Sequence, residues 1–148
     1  YKNVELWADM IYNFEYERNF VTKILAKIRR EVMTVQEFYE EVGGDYNEIM
    51  SRLRTEDRIR KFAGMFTRDE SYKALVQCIN DGNADDAFRA AHTMKGMCQN
   101  MAFTRLYKSS HEITEILRGK DLESAKQMLD GVTEDYNIVI AGIGKLLA

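Results

Sequence analysis

The amino-acid sequence predicts an all-α protein, an antiparallel up-down four-helix bundle with additional N-terminal helices. Three observations support this fold class. The 148 residues include no proline, the residue that most strongly interrupts helices. Apolar side chains recur at the three- and four-residue intervals of an amphipathic helix through most of the chain. The segments with this period are joined by short turns rich in Gly, Asp and Asn, which favours antiparallel neighbours in a bundle.

Residues 1–33 are expected to form one long helix with a narrow apolar seam. The seam is a heptad repeat whose two core positions hold Val4, Trp7, Ile11, Phe14, Arg18, Val21, Leu25, Ile28 and Val32. A second copy of this helix would give a homodimer, in which Arg18 is a polar interruption that sets the register. The alternative is an extra helix folded back on its own bundle. The pattern alone does not separate these two, so the segment is interpreted as a linker, a dimerisation helix or a packed-back helix.

Residues 34–148 are expected to form a second domain, and its first three helices are short. Thr34 and Glu37 have the Thr-x-x-Glu spacing of a capping box, which marks the start of the first helix. A Gly-Gly pair ends this helix, and an aspartate caps the next one. The expected ranges are about residues 34–42, 45–53 and 56–66.

Four longer helices are expected to complete the bundle. They lie at about residues 72–80, 83–101, 103–119 and 122–147. An Asp-Gly turn ends the first of them. Asp85 and Asp86 lie in the first turn of the second, where carboxylates interact favourably with the helix macrodipole. The apolar stripe of the last helix is expected to be interrupted near Gly131 and again at Gly142 and Gly144.

Composition narrows the function classes. The chain is 45% hydrophobic and 30% charged and has no apolar run near the ~20 residues of a membrane-spanning helix, so a cytoplasmic protein is expected. A net charge of -3 gives no support for nucleic-acid binding. Six basic residues are interleaved with apolar positions and are interpreted as solvated helix faces: Arg52, Arg54, Arg58, Arg60, Lys61 and Arg68.

Cys78 and Cys98 fall on apolar stripes, which favours buried reduced thiols over a disulfide or metal site.

The segment from Ala90 to Asn100 carries the most specific chemistry. His92 lies roughly opposite the apolar stripe of its helix and is expected to face solvent. The stripe comprises Ala87, Ala91, Met94, Cys98 and Met101. An exposed neutral imidazole keeps a lone pair on one ring nitrogen, so it can attack an activated phosphoryl group. Lys95, one turn on, can place a positive charge beside a phosphate on that nitrogen, and Gly96 leaves room for a second protein.

The pentapeptide His92-Thr93-Met94-Lys95-Gly96 resembles the H-T-L-K-G signature of histidine-containing phosphotransfer (HPt) domains. These are the four-helix modules that relay phosphate in bacterial and fungal two-component systems. The similarity includes Ala90-Ala91 before the pentapeptide and Asn100 and Leu106 after it, and it extends from about residue 34 to the C-terminus. Its position between two amphipathic helices strengthens the resemblance.

The chain departs from the pattern of that family at two positions. Ala102 stands where the family usually has a glycine, ten residues past its histidine. Thr114 lies near a position where the family often has Glu or Gln. Glu115 and Gln99 are the candidate residues to replace that Glu or Gln as a polar neighbour of the imidazole.

The resemblance implies a role for each residue of the site. His92 would be the phosphorylated nucleophile, through its distal ring nitrogen, while Lys95 and Gln99 would orient the phosphoryl oxygens. The residues expected to dock a partner are Phe88, Arg89, Gly96, Arg105 and Lys108. The implied partners are the receiver domains of response regulators, including that of a hybrid histidine kinase. No cofactor or metal of the chain's own is expected, since the Mg2+ would belong to the receiver.

The expected function is therefore that of a phosphorelay intermediate, a transfer module without a phosphate-binding loop or kinase domain of its own. Three alternatives stay open. A chemotaxis-type histidine kinase also begins with such a bundle, and an attached ATP-binding domain would then phosphorylate His92. A structural or adaptor bundle would keep the fold and take up no phosphate. A metal-binding bundle would need the Glu-x-x-His spacing, which the chain lacks, and His111 is expected near the level of Arg89 or Asp85, away from His92.

Overall fold

A computed structural model of the protein comprises eight helices along residues 2–148. They are α1 (Lys2–Glu31), α2 (Val35–Val42), α3 (Tyr46–Leu53), α4 (Glu56–Phe66), α5 (Ser71–Asn80), α6 (Ala84–Asn100), α7 (Thr104–Arg118) and α8 (Leu122–Leu147). The structure describes the backbone of residues 2–148 and the side chains of residues 14–28 and 32–148. No strand occurs within residues 2–148, so the all-α prediction is confirmed. The chain consists of two compact units, residues 1–33 and 34–148.

The long helix predicted from the heptad repeat is α1. Phe14, Leu25 and Ile28, which belong to the seam, are each more than half exposed, and Arg18 is exposed as well. The seam positions outside the described side chains are Val4, Trp7 and Ile11. Neither α1 nor another helix of the described residues has an apolar stretch long enough to cross a membrane.

The short helices begin where the sequence predicts. The Thr34 hydroxyl accepts a hydrogen bond from the Glu37 N–H at 3.1 Å, and the Glu37 carboxylate accepts one from the Thr34 N–H at 2.8 Å, which completes the capping box. The hydrogen bond from the Thr34 N–H is the main reason that the pKa of Glu37 lies below its usual value. Asp45 and Thr55 cap α3 and α4 through their side chains. These caps satisfy backbone N–H groups that would otherwise lack a partner.

Helices α5 to α8 form the predicted up-down bundle, in which α5 packs against α6, α6 against α7, α7 against α8, and α8 also against α5. Helices α2 and α4 pack on α8. Phe103, fully buried in the α6–α7 turn, is the centre of an aromatic cluster. Its ring centroid lies 5.1 Å from that of Phe66 and 5.9 Å from that of Phe38, both edge to face. The cluster joins α2 and α4 to the end of α6.

The α6–α7 turn closes tightly, although Ala102 stands where the family that the sequence resembles usually has a glycine. Ala102 adopts the left-handed conformation, with φ of +53°. Its carbonyl accepts a hydrogen bond from the Asp45 N–H at 2.9 Å, and the Met101 carbonyl accepts one from the Tyr39 hydroxyl at 2.8 Å. Gly44 permits this approach, because a Cβ there would lie 2.8 Å from the Ala102 carbonyl oxygen. The α2–α3 connection therefore holds the C-terminal end of α6.

The last helix, α8, spans the predicted range, and Gly131, Gly142 and Gly144 all lie within it. Gly142 is buried against α2, where a Cβ would lie 2.8 Å from Val42 Cγ1 and 3.0 Å from Phe38 Cε2. Glycine within a helix costs about 1 kcal/mol relative to alanine, and the packing of α8 on α2 outweighs that cost. Gly142 is thus a packing residue.

The two cysteines differ in burial. Cys98 is fully buried, as predicted, and burial raises its pKa to about 12, so it is a neutral thiol at physiological pH. Cys78 is only half-buried, so the prediction of two buried thiols is correct for one of them. Both are free cysteines.

Candidate functional site

His92 lies near the middle of α6 and is exposed. The predicted apolar stripe on the other side of α6 is buried throughout: Ala87, Ala91, Met94, Cys98 and Met101. Asn83 caps the first turn of α6 through its side chain. At the other end, Arg52 of α3 donates hydrogen bonds to the carbonyl groups of Gln99 and Asn100, at 2.5 and 3.1 Å. Since both ends are held and one face is buried, α6 is a fixed platform with the imidazole on its outer side.

Three contacts set the register of the α6–α7 hairpin. They pair Cys98 with Ser110, Phe88 with Arg118, and Asp85 with Lys120. Between these pairs, Glu115 lies at the level of His92, and His111 lies at the level of Lys95. The expectation that His111 lies level with Arg89 or Asp85 is therefore wrong. The reason is that His111 directly follows Ser110, whose hydroxyl contacts Cys98, so it lies toward the C-terminal end of α6 and away from its first turns.

Phe88 and Arg118 form a row with His92. The rings of Phe88 and His92 lie 5.9 Å apart between centroids, and their planes are inclined by 25°. The guanidinium carbon of Arg118 lies 5.0 Å from the centre of the Phe88 ring, a cation–π contact. Arg118 also donates to both carboxylate oxygens of Glu115, each at 3.2 Å, and this interaction is the main reason that the pKa of Glu115 lies below its usual value.

Lys95 and Gly96 follow His92 on the same side of α6. Lys95 is half-buried one turn on, and its charge helps to lower the pKa of Glu115, which lies at the level of His92. A Cβ at Gly96 would meet nothing within 4 Å, so the surface beside His92 is open. Gln99 is exposed two turns from His92, a rise of about 10 Å along the helix.

The cations expected around His92 are only partly in place. Arg89 is exposed, and its guanidinium forms an ion pair of 3.1 Å with an aspartate of its own helix. Lys108 is exposed on α7. Arg105 does not join the ring around His92, which corrects the sequence-based expectation. It lies in the first turn of α7, and its Nε donates to Asp135 Oδ1 of α8 at 2.6 Å.

Arg118 is a residue of this site that the sequence analysis missed. It is the last residue of α7, and no local pattern places it beside Phe88, thirty positions earlier. The register of the hairpin would have placed it there. That register depends on the left-handed conformation of Ala102, which the sequence pattern does not indicate for an alanine.

The arrangement offers an accessible imidazole with a positive charge one turn away. Such an imidazole can accept a phosphoryl group that another protein presents, because the phosphorus atom can reach its ring nitrogen. The nearby cation can stabilise the negative charge on the phosphoryl oxygens. Among the described residues, no three His, Cys, Asp or Glu side chains lie together in a way that could hold a metal ion.

A family model with the description Hpt domain matches residues 34–142 of the chain. Comparisons with curated proteins and with solved structures gave no match. The matched segment begins at the capping threonine of α2 and ends within α8, and it includes His92 and every residue placed around it above.

Proposed function

As the chain belongs to the Hpt domain family and is a histidine phosphotransfer module of phosphorelays, we propose that His92 accepts a phosphoryl group from the aspartyl phosphate of a receiver domain and passes it to a second response regulator. The observation that carries this proposal is the exposed imidazole of His92 in the middle of α6. An imidazole that projects from a fixed helix can enter the active-site pocket of a partner.

The transfer is a nucleophilic substitution at phosphorus. The lone pair of Nε2 of His92 forms the N–P bond while the P–O bond to the receiver's aspartate breaks, and the aspartate leaves as a carboxylate. The reverse steps deliver the phosphoryl group to the second receiver. The receiver supplies Mg2+, and this chain supplies the nucleophile and its surroundings.

The residues around His92 have separate roles in this proposal. Lys95 places its ammonium group beside the phosphoryl oxygens, and Gln99 adds a hydrogen bond from the edge of the site. Phe88 and Gly96 form part of the surface that the partner contacts. The exposed cations of α6 and α7, Lys108 among them, speed the encounter with an acidic receiver more than they tighten the complex.

Transfer from a phosphorylated receiver tests the proposal. The receiver is loaded with radiolabelled acetyl phosphate, separated from the excess donor and mixed with the chain. We expect the chain to acquire label that is labile in acid and stable in base, as phosphohistidine is. A chain that acquires no such label from any receiver of its organism would contradict the proposal.

Lys95→Ala is expected to slow this transfer about tenfold to a hundredfold without abolishing it. The substitution removes one charged hydrogen-bond donor, and such a bond contributes roughly 1.5–3 kcal/mol. Rapid-quench measurement of a single turnover gives the rate constant. Lys95→Arg, which keeps the positive charge, is the matched control and should recover part of the rate. Transfer by Lys95→Ala at the wild-type rate would remove Lys95 from this role.

We further propose that α1 pairs with a second copy through the heptad seam, because seam residues such as Leu25 and Ile28 are exposed at the spacing of a coiled coil. We expect the full chain to sediment as a dimer and Leu25→Asp to sediment as a monomer, since the substitution places a carboxylate in the seam. Lys27→Asp, on the same helix outside the seam, is the matched control and should stay dimeric. A monomeric wild-type chain would exclude this role for α1.

A further inference from the structure

Arg118 lies beside the phosphoacceptor histidine and has no part in the transfer step described above. It is the last residue of α7, and the α6–α7 hairpin brings it to Phe88, one turn before His92 on α6. Its guanidinium is occupied on two sides. Two of its nitrogens donate to the carboxylate oxygens of Glu115, each at 3.2 Å, and its central carbon lies 5.0 Å from the centre of the Phe88 ring. Arg118 is therefore placed to act on its aromatic neighbour.

The contact between Arg118 and Phe88 restricts both side chains. A guanidinium that donates two hydrogen bonds to one carboxylate keeps its plane, because turning would break both bonds. A cation over an aromatic ring is attracted to the negative π-face, which favours the ring orientation that presents this face. Phe88 is also half-buried on α6, so its own packing limits the ring further. The ring is thus held from two helices.

The ring of Phe88 lies against the imidazole of His92. Side chains of a helix lean toward its N-terminus, so the side chain of His92 lies over the turn that contains Phe88. The two ring centroids are 5.9 Å apart and the ring planes are inclined by 25°, an offset and nearly parallel arrangement. One turn later, a Cβ at Gly96 would meet nothing within 4 Å. The imidazole therefore has an aromatic wall on one side and open space on the other.

An exposed imidazole without such a wall can adopt several orientations. The backbone of a helix allows two staggered values of χ1, and each of these combines with two broad values of χ2. Transfer requires the orientation that aligns the attacking nitrogen with the P–O bond of the donor. A neighbour that selects this orientation before the partner arrives lowers the entropy cost of the reaction. For one side chain, this advantage amounts to about twofold to tenfold in rate.

We propose that Phe88 and Arg118 are positioning residues of the phosphoryl transfer. Arg118 fixes the ring of Phe88, and this ring restricts the imidazole of His92 to the orientation that it presents to the partner. The proposal rests on the function proposed above, because the attack of the imidazole on phosphorus is the step named there. Arg118 acts through Phe88, and Phe88 acts through His92, so neither side chain needs to touch the phosphoryl group.

Kinetics with two phosphoryl donors test this role. Phosphoramidate is a small molecule that can phosphorylate an imidazole in any orientation, whereas a receiver loaded with radiolabelled acetyl phosphate holds its phosphoryl group in one place. Phe88→Leu keeps an apolar side chain and removes the flat ring. We expect its kcat for transfer from the receiver to fall about twofold to tenfold relative to its rate of labelling by phosphoramidate, with KM unchanged. Phe88→Tyr retains the ring and should recover the rate.

Arg118→Gln should lower kcat in the same direction and by a smaller factor, because the ring of Phe88 keeps its packing on α6. Combined with Phe88→Leu, it should cause no further loss, since Arg118 acts through that ring. Tyr107→Leu is the matched control. It removes the ring whose centroid lies 6.0 Å from that of His111, at an inclination of 17°, and it should leave kcat for transfer unchanged.

NMR spectroscopy measures the orientation of the imidazole without a receiver. Three-bond couplings about χ1 of His92 should report one dominant rotamer in the wild-type chain and an average of two rotamers in Phe88→Leu. The couplings of His111 should stay the same in Phe88→Leu and change in Tyr107→Leu. Equal couplings of His92 in the wild type and in Phe88→Leu would contradict the proposal.

Three kinetic outcomes would overturn the proposal in distinguishable ways. An increase in KM alone for Phe88→Leu would show that Phe88 is a contact of the partner and does not position the imidazole. Additive losses in the double variant would show that Arg118 acts on the phosphoryl group directly. If the wild-type chain acquired no label at His92 from either donor, the proposed function itself would be wrong, and the positioning role with it, even if the couplings showed an oriented ring.

Discussion

His92→Gln is expected to acquire no phosphoryl label, from a receiver or from phosphoramidate. The amide nitrogen of glutamine has its lone pair delocalised into the carbonyl group, so it is not a nucleophile at phosphorus. The fold should be unaffected, because His92 is exposed and glutamine is a good helix former of similar polarity. The measurement is the amount of acid-labile, base-stable label per chain, with circular dichroism to verify the helical content.

The chain provides its own matched control for this experiment, since it has two histidines. His111 is also exposed and also lies beside an aromatic ring, that of Tyr107 at 6.0 Å between centroids. His111→Gln should therefore acquire label as the wild type does. Undiminished label on His92→Gln would exclude His92 as the acceptor, and loss of label from His111→Gln would place the acceptor on α7.

Most of the helix boundaries could be predicted because the signals that set them are local. The capping box of Thr34 and Glu37 involves atoms three residues apart, so its sequence pattern is sufficient to place the start of α2. The range of α8 could be predicted as well, but the packing of Gly142 could not be predicted in the same way. Gly142 lowers the intrinsic helix propensity, and its close neighbours are Val42 and Phe38, about a hundred residues earlier in the chain.

The outward position of His92 could be predicted for a similar reason. It follows from the helical period of the buried stripe on α6, which the structure confirms. Its neighbours on α7 depend on the geometry of one turn, and a shift of a few residues there changes which side chain faces which. Sequence reasoning therefore placed His111 at the wrong level, included Arg105 in the ring of cations and missed Arg118.

The same turn connects the site to the stability of the bundle. The hydrogen bonds from Tyr39 and Asp45 hold its carbonyl groups, and Phe103 places the largest buried side chain of the turn against α2 and α4. If the contacts of Phe103 with α2 and α4 were lost, the last residue of α6 and the turn after it would be held less firmly. The part of α6 around His92 would stay packed on α5 and α7.

Phe103→Ala is accordingly expected to lower the free energy of unfolding by about 3–5 kcal/mol, because it leaves a cavity among three aromatic rings in a fully buried position. Against the roughly 5–15 kcal/mol typical of a domain, this is a large part of the total stability. Urea denaturation monitored by circular dichroism measures it as a lower midpoint at an unchanged slope.

Phe62→Ala is the matched control, since it removes the same atoms from a side chain that is 41% exposed, and it should cost about 1 kcal/mol. The fraction of Phe103→Ala that stays folded should still acquire label from phosphoramidate, because His92 projects from a part of α6 that the aromatic cluster does not contact. Equal destabilisation by the two substitutions would mean that the cluster around Phe103 does not form the centre of the core. Loss of labelling from the folded fraction would mean that the turn also positions the imidazole.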